Sequence, residues 1–291
     1  MNIIGHKYTF LTFSGLLVLG SIIIIALWGL KLGIDYTGGS LLEIEFKDKR
    51  MEVDELKKKM DGLSLENVII QPAGEKGVIL RFKDIDENTH QALLQSLEGS
   101  EEKRFDSIGP VIGNELKKKS VTALLLALVA IVLYIAFAFR QVSRPVSSWK
   151  YGLAAILALV HDVTIPIGVF ALLGHFWGVE VDTLFITALL TILGFSVHDT
   201  IVVFDRIREN LRKLKSPEPY ELTVNRSVNE TITRSINTSL TILLVLLMVI
   251  VLGGETTKFF ALTLILGIIF GTYSSIFVAS PILVIWNRWT R

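Results

Sequence analysis

Six long apolar runs punctuate the chain, and the stretch between the first and second has a different rhythm. The first run spans roughly Tyr8 to Leu30. From Ser40 to Phe46 the pattern alternates, with Leu42, Ile44 and Phe46 on one face and Glu43 and Glu45 on the other, which predicts a half-buried strand. Met51 to Asp61 predicts a helix, because Val53, Leu56 and Met60 recur at helical spacing. Glu66 to Gln71 and Gly77 to Phe82 predict strands, joined by a turn from Pro72 to Lys76. Asp86 to Leu97 predicts a second helix with Ala92, Leu93 and Leu97 inward, and Glu101 to Ile108 a last strand. The order β-α-β-β-α-β is that of a ferredoxin-like split unit.

Beyond Pro110 the apolar runs return: Val121 to Phe139, Tyr151 to Leu173, a run that ends through Ile192 to Arg212, Thr231 to Leu252, and Phe259 to Trp286. Each approaches the ~20 residues that a bilayer requires. The expected fold is a polytopic α-helical membrane protein. It has six transmembrane helices and one small extracytoplasmic α+β (ferredoxin-like βαββαβ) domain between helices 1 and 2. Residues 1–30 form the N-terminus and first helix, 31–118 the domain, and 119–291 helices 2–6 with basic loops. The first run reaches Trp28 without an A-x-A-like cleavage site, so it is read as an uncleaved helix with His6 and Lys7 on its cytoplasmic side. Lys57, Lys58 and Lys59 are read as a solvated helix face.

Charge then sets orientation. Arg140, Arg144 and Lys150 follow the second helix. Arg206, Arg208, Arg212, Lys213, Lys215 and Arg226 follow the fourth, and Arg288 and Arg291 close the chain. The loops after the third and fifth helices hold only Lys258. The positive-inside rule places both termini in the cytoplasm and residues 31–118 outside it.

Composition narrows the chemistry. The chain is 51% hydrophobic and 20% charged with net charge +1, and it has no cysteine, which excludes disulfides, thiolate catalysis and cysteine-ligated metal. It has no GxxxxGK[ST] and no HExxH. No nucleotide, metal, cofactor or nucleic acid is expected, and the chain is not read as an enzyme. Any work it does is powered from elsewhere.

The polar residues within the apolar runs carry the chemistry. Asp199, preceded by His198, lies in the fourth helix, where a carboxylate at mid-membrane costs about 2.5–3.5 kcal/mol on insertion scales. In the fifth helix Arg234, Asn237, Thr238 and Thr241 fall at i, i+3, i+4 and i+7 as one polar stripe, expected to face other helices or a wet cavity. Antiparallel neighbours bring Asp199 and Arg234 to similar depth, as a proton-biased switch or as a static buried pair. His161 and Asp162 sit one turn before Pro166, which deprives the Asp162 carbonyl of its helical partner; a polar pocket and a plain packing role are both open. Asp205, Arg206, Arg208 and Glu209 are read as a solvated helix end. Gly267, Gly271, Ser275 and Ala279, each four apart, permit close helix approach, within the chain's own scaffold or against a partner.

Several stretches resemble one family. GFSVHDTIVVFDRIREN, from Gly194 to Asn210, closely resembles the fourth-helix motif of the SecF members of the SecD/SecF family. GIDYTGGS (Gly33–Ser40), SIGPVIGNEL (Ser107–Leu116), ALVHDV (Ala158–Val163) and RSVNETITRSINTSLT (Arg226–Thr241) match its other segments in order. The resemblance implies a transporter of the resistance–nodulation–division type in the bacterial inner membrane. Such a protein pairs with SecD, the pair associates with the SecYEG channel, with YajC or YidC nearby, and it uses the proton or sodium gradient to pull preproteins out on the far side after SecA has pushed. It also maps the family's membrane acid onto Asp199 and its membrane arginine onto Arg234. His198 departs from the asparagine expected before the acid, and a titratable neighbour there is placed to tune it. The alternatives are a small-molecule or lipid exporter of the same superfamily, or a non-transporting assembly scaffold.

Overall fold

The computed structural model describes residues 1–63, 65, 68–138, 148–214, 216 and 218–289. Glu66 of the expected second strand and the loop residues Arg140, Arg144, Lys215 and Arg291 lie outside the described residues. The chain forms two compact units, Leu32–Thr122 and Met1–Lys31 with Ala123–Arg291.

The smaller unit contains a short helix α2 (Ile34–Thr37), then β1 (Gly39–Phe46), α3 (Val53–Gly62), β2 (Ile69–Ala73), β3 (Gly77–Phe82), α4 (Glu87–Ser96) and β4 (Ser100–Ile108). The sheet order is β2-β3-β1-β4 with antiparallel pairing throughout, the arrangement of the split βαβ unit. Alternation decides the face: Leu42 opposes Leu80 and Ile44 opposes Val78. These four pack with Leu56, Met60, Leu93 and Leu97 in one buried cluster. Asp86 caps α4 by accepting the Thr89 N–H at 3.0 Å. Pro72, expected in a turn, is instead paired with Val78 in β2; an edge strand tolerates the missing amide donor. The consecutive Gly38 and Gly39 have φ of 76° and 127°. A Cβ on Gly38 would stand 2.8 Å from the Pro110 Cα, and one on Gly39 2.8 Å from the Phe82 carbonyl oxygen. Only glycine fits this entry into β1.

The larger unit is helical. After a 3₁₀ turn (Ile4–His6) come α1 (Lys7–Trp28), α5 (Pro110–Ala138, whose first turns belong to the smaller unit), α6 (Ser148–Trp177), α7 (Thr183–Lys213), α8 (Tyr220–Leu252), α9 (Glu255–Ser274), a π turn (Ser275–Ala279) and α10 (Ser280–Trp289). Six helical spans among the described residues are long and apolar enough to cross a membrane, the sixth running from α9 through the π turn into α10. The molecule is thus a polytopic membrane protein with a small α+β domain. α6, α7 and the sixth span are the most enclosed; α1, α5 and α8 expose most of their surface. α5 and α8 each begin well before the apolar run that revealed them, because Lys117–Lys119 and the polar turns around Arg226 hide a helical backbone. α6 runs unbroken through Pro166. Lys7 is buried and bonds Glu221 at the start of α8 at 2.5 Å.

Candidate functional site

The site is built where α6, α7, α8 and α9 meet. The four-residue spacing of Gly267, Gly271 and Ser275 forms a seam that receives Ile192, Ser196 and Asp199 of α7. A Cβ on Gly267 would lie 2.1 Å from Ile192, and one on Gly271 3.1 Å from Ser196. The small-residue stripe therefore serves packing within this chain. Its close approach carries the Ser275 hydroxyl onto Asp199.

Asp199 is 7% exposed. One carboxylate oxygen accepts from Ser235 Oγ on α8 at 2.6 Å, the other from Ser275 Oγ. Hydrogen bonds to a charged group contribute about 1.5–3 kcal/mol each, so these two hydroxyls offset much of the burial of the carboxylate. A second carboxylate lies beside the first. Asp162 is fully enclosed and accepts from Ser274 Oγ at 2.7 Å, from Ser196 Oγ, and from His161 Nδ1 at 2.8 Å. His161 Nε2 is buried without a hydrogen-bond partner among the described residues. The imidazole stacks on Tyr273 with centroids 6.0 Å apart, and Ser14 of α1 bonds the Tyr273 hydroxyl at 3.3 Å. Among the described residues no group of three or more His, Asp or Glu side chains is placed to hold a metal ion.

Two expectations are corrected. Asp199 is not paired with Arg234. Arg234 is exposed on the outer side of α8 and makes no ion pair or hydrogen bond among the described residues. Asn237, Thr238 and Thr241 share that outer side, so the polar stripe faces away from this chain's own helices. The reason is one step of helical rotation, about 100° per residue. The inward face of α8 is a neighbouring hydroxyl stripe, Ser227, Thr231, Ser235 and Ser239, all buried; its small side chains fit where α7 and α9 close in. His198 is exposed on α7 and makes no hydrogen bond among the described residues. His161 and Asp162, by contrast, are brought together. At the far end of α7, Arg206 bonds Glu209 at 2.6 Å and Arg208 bonds Asp205, as expected of a helix end. Arg206 also reaches Glu230 of α8 at 2.6 Å, and the buried Asn210 bonds Ser227 and Glu230 at 2.9 and 2.7 Å.

The residues that sequence reasoning missed are the hydroxyls: Ser196, Ser235, Ser274, Ser275 in its role as donor, and Ser239 and Thr272, which bond each other at 2.5 Å. The four-residue spacing from Ser227 to Ser239 was a visible signal for two of them, Ser235 and Ser239.

Residues 89–289 match the family described as protein export membrane protein SecD/SecF, C-terminal, and residues 25–49 match the SecD/SecF GG motif. The chain belongs to the SecD/SecF family. Its relatives place it on the SecF side. It is 42% identical over 304 residues to the protein translocase subunit SecF of Thermobaculum terrenum, covering 99% of this chain and 94% of that one. Against the SecF of Anaerolinea thermophila identity is 39% over 294 residues, with the same coverage. The crystal structure of SecDF from Thermus, described as a translocon-associated membrane protein, superimposes with a TM-score of 0.84 at 34% identity. The match covers 99% of this chain but 39% of that longer one, in which SecD and SecF share a name. The Gly38–Gly39 pair that admits the chain to β1 lies inside the SecD/SecF GG motif match, so that family signature has a steric origin here.

Proposed function

We propose that this chain is a SecF-type subunit that pairs with a SecD polypeptide in the bacterial inner membrane and uses the proton or sodium gradient to promote preprotein export. Asp199 is the ion-carrying group of that reading. The observation that carries it is Asp199 itself: a carboxylate enclosed among α7, α8 and α9, held by two hydroxyls and no cation among the described residues. Hydroxyls can donate to a carboxylate or accept from a carboxylic acid, so the same cradle accommodates Asp199 with and without a proton. One charge crossing a 100 mV potential yields about 2.3 kcal/mol, enough to bias two states a few kcal/mol apart.

The outward face of α7 and α8, carrying His198, Arg234, Asn237, Thr238 and Thr241, supports the pairing. A guanidinium in lipid requires an acidic or polar partner, and this chain spans only 39% of the SecDF chain it superimposes upon. The SecYEG channel, SecA, YajC or YidC and the moving preprotein are further partners of the same reading. Both termini lie in the cytoplasm and the α+β domain outside it, in line with the distribution of basic residues. The chain performs no covalent catalysis. The scaffold alternative loses its main support, because the small-residue stripe is consumed by the α7–α9 contact.

The deciding experiment is gradient-driven translocation in vesicles with Asp199→Asn. Stimulation by the gradient is expected to disappear while the subunit still assembles with SecD. Undiminished stimulation rejects the reading.

A further inference from the structure

Two buried carboxylates on different helices are served by consecutive residues of a third. Ser274 donates to Asp162 at 2.7 Å, and Ser275 donates to Asp199. Each serine has a second acceptor in its own helix: Ser274 Oγ lies 3.1 Å from the Gly271 carbonyl and Ser275 Oγ 3.0 Å from the Thr272 carbonyl. A hydroxyl has one proton to donate, so each serine is bonded either to its carboxylate or to its helix. The pair stands at the entry to the π turn Ser275–Ala279, where the Ser275 carbonyl accepts from Ser280 Oγ at 3.0 Å. Such turns are local departures from α-helical bonding and recur at functional sites.

Asp162 has the features of a proton acceptor rather than of a structural anchor. It is fully enclosed, and no Lys or Arg touches it among the described residues. Its neighbour His161 presents a buried Nε2 with no partner there. The groups able to titrate near it are His161 on its own helix, Tyr273 from α9, and Asp199 of α7 across the serine pair; α1 contributes Ser14 through Tyr273.

We infer that Asp162 is a second proton-binding site, in series with Asp199 and coupled to it through Ser274 and Ser275. This rests on the reading of Asp199 as the ion-carrying group. A proton taken up at His161 Nε2 is matched by release of the Nδ1 proton to Asp162. The imidazole ends neutral as its other tautomer, and the carboxylate gains one O–H bond. The new Oδ1–H donates back to Nδ1, and Oδ2, no longer part of a carboxylate, accepts more weakly, so the Ser274 hydroxyl turns to the Gly271 carbonyl. The altered bonding of one residue at the π turn is felt by the next, Ser275, and so by Asp199. Protonation of Asp199 acts on Asp162 by the reverse route, as linkage requires.

The test is aspartate-labelled infrared titration of the full chain in lipid nanodiscs, reading the carbonyl band of protonated carboxyls shielded from water. Two titrating bands are expected, one lost in Asp162→Asn and the other in Asp199→Asn. Asp162→Asn should also move the midpoint of the remaining band by about one pH unit, the scale of coupled sites. In the Ser274→Ala, Ser275→Ala background both bands should persist and that displacement should vanish. Loss of no titrating band in Asp162→Asn overturns the inference, as does an equal displacement without the serines, or a band that answers to sodium at fixed pH. If Asp162→Asn does not insert, the wild-type chain decides: a single titrating band overturns it. An Asp199 band without an Asp162 band defeats this inference alone, whereas absence of the Asp199 band defeats the proton-driven form of the proposed function as well.

Discussion

Gly267→Ala is the sharpest perturbation of the seam that holds the site. The added Cβ would stand 2.1, 2.2 and 2.7 Å from Cγ1, Cδ1 and Cγ2 of Ile192. Carbon atoms pack at about 3.5–4.0 Å, so the contact is short by well over an ångström. Rotating the Ile192 side chain brings no relief, because both branches clash and Ile192 is fully buried. The helices must part or the core must repack, at about 1–3 kcal/mol for an overpacked site. Parting carries Ser275, two turns on, out of reach of Asp199. Expected is a loss of that size in denaturant unfolding of the full chain, with loss of gradient-stimulated translocation. Gly271→Ala, whose Cβ would meet Ser196 at 3.1 Å, should be milder. Ile192→Ala removes the three clashing atoms, so the double variant should recover part of both losses, as a coupled pair does in a mutant cycle. Wild-type behaviour of Gly267→Ala, or purely additive effects in the double variant, would refute the reasoning.

Other outcomes follow from the same geometry. Asn210→Ala removes a buried amide that bonds Ser227 and Glu230, and it should lower unfolding stability by about 1–3 kcal/mol without touching Asp199. Arg234→Glu leaves this chain's own bonds intact, so its unfolding midpoint should hold while co-purification with SecD falls; undiminished co-purification speaks against the outward face as the pairing surface. In the α+β domain the Thr89 hydrogen bonds hold the Asp86 carboxyl below its ordinary range. A lowered folded value means that this cap acts fully above the usual carboxylate range and is lost as pH falls through the folded value. Asp86→Asn should flatten the acid limb of the domain's melting profile, and an unchanged limb would discount the cap.

Much of the fold was legible because the two periods were clean. Leu42, Ile44 and Phe46 alternate without interruption, and the apolar runs are long enough to leave no second reading. Helix starts were harder. Tyr220–Glu230 buries only a single file of apolar residues, Tyr220, Val224 and Val228, among polar positions that bond Arg206 and Asn210, so its helical period is faint beside the long apolar runs. At the site, Asp199, His161 and Asp162 stood out because charge in an apolar run is conspicuous. The mistake over Arg234 had the same source: it was the conspicuous cation, and the inconspicuous Ser235 beside it took the place. The π turn had no sequence signal: Ser275–Ala279 lies inside one apolar run.

Helix α8 presents unlike surfaces at successive positions, with Ser235 turned into the molecule and Arg234 turned out. Adding or deleting a single residue upstream in that helix would rotate everything beyond it by about 100°. An addition would swing the guanidinium toward the buried acid, a deletion would bring Ile236 there, and either would strand the Ser235 hydroxyl in lipid or against a neighbour. The spacing between Asn225, which is bonded to the Met1 carbonyl at one end, and Ser239 at the other is therefore fixed to the residue. Drift in this protein's length is confined to its connections and barred from this rod.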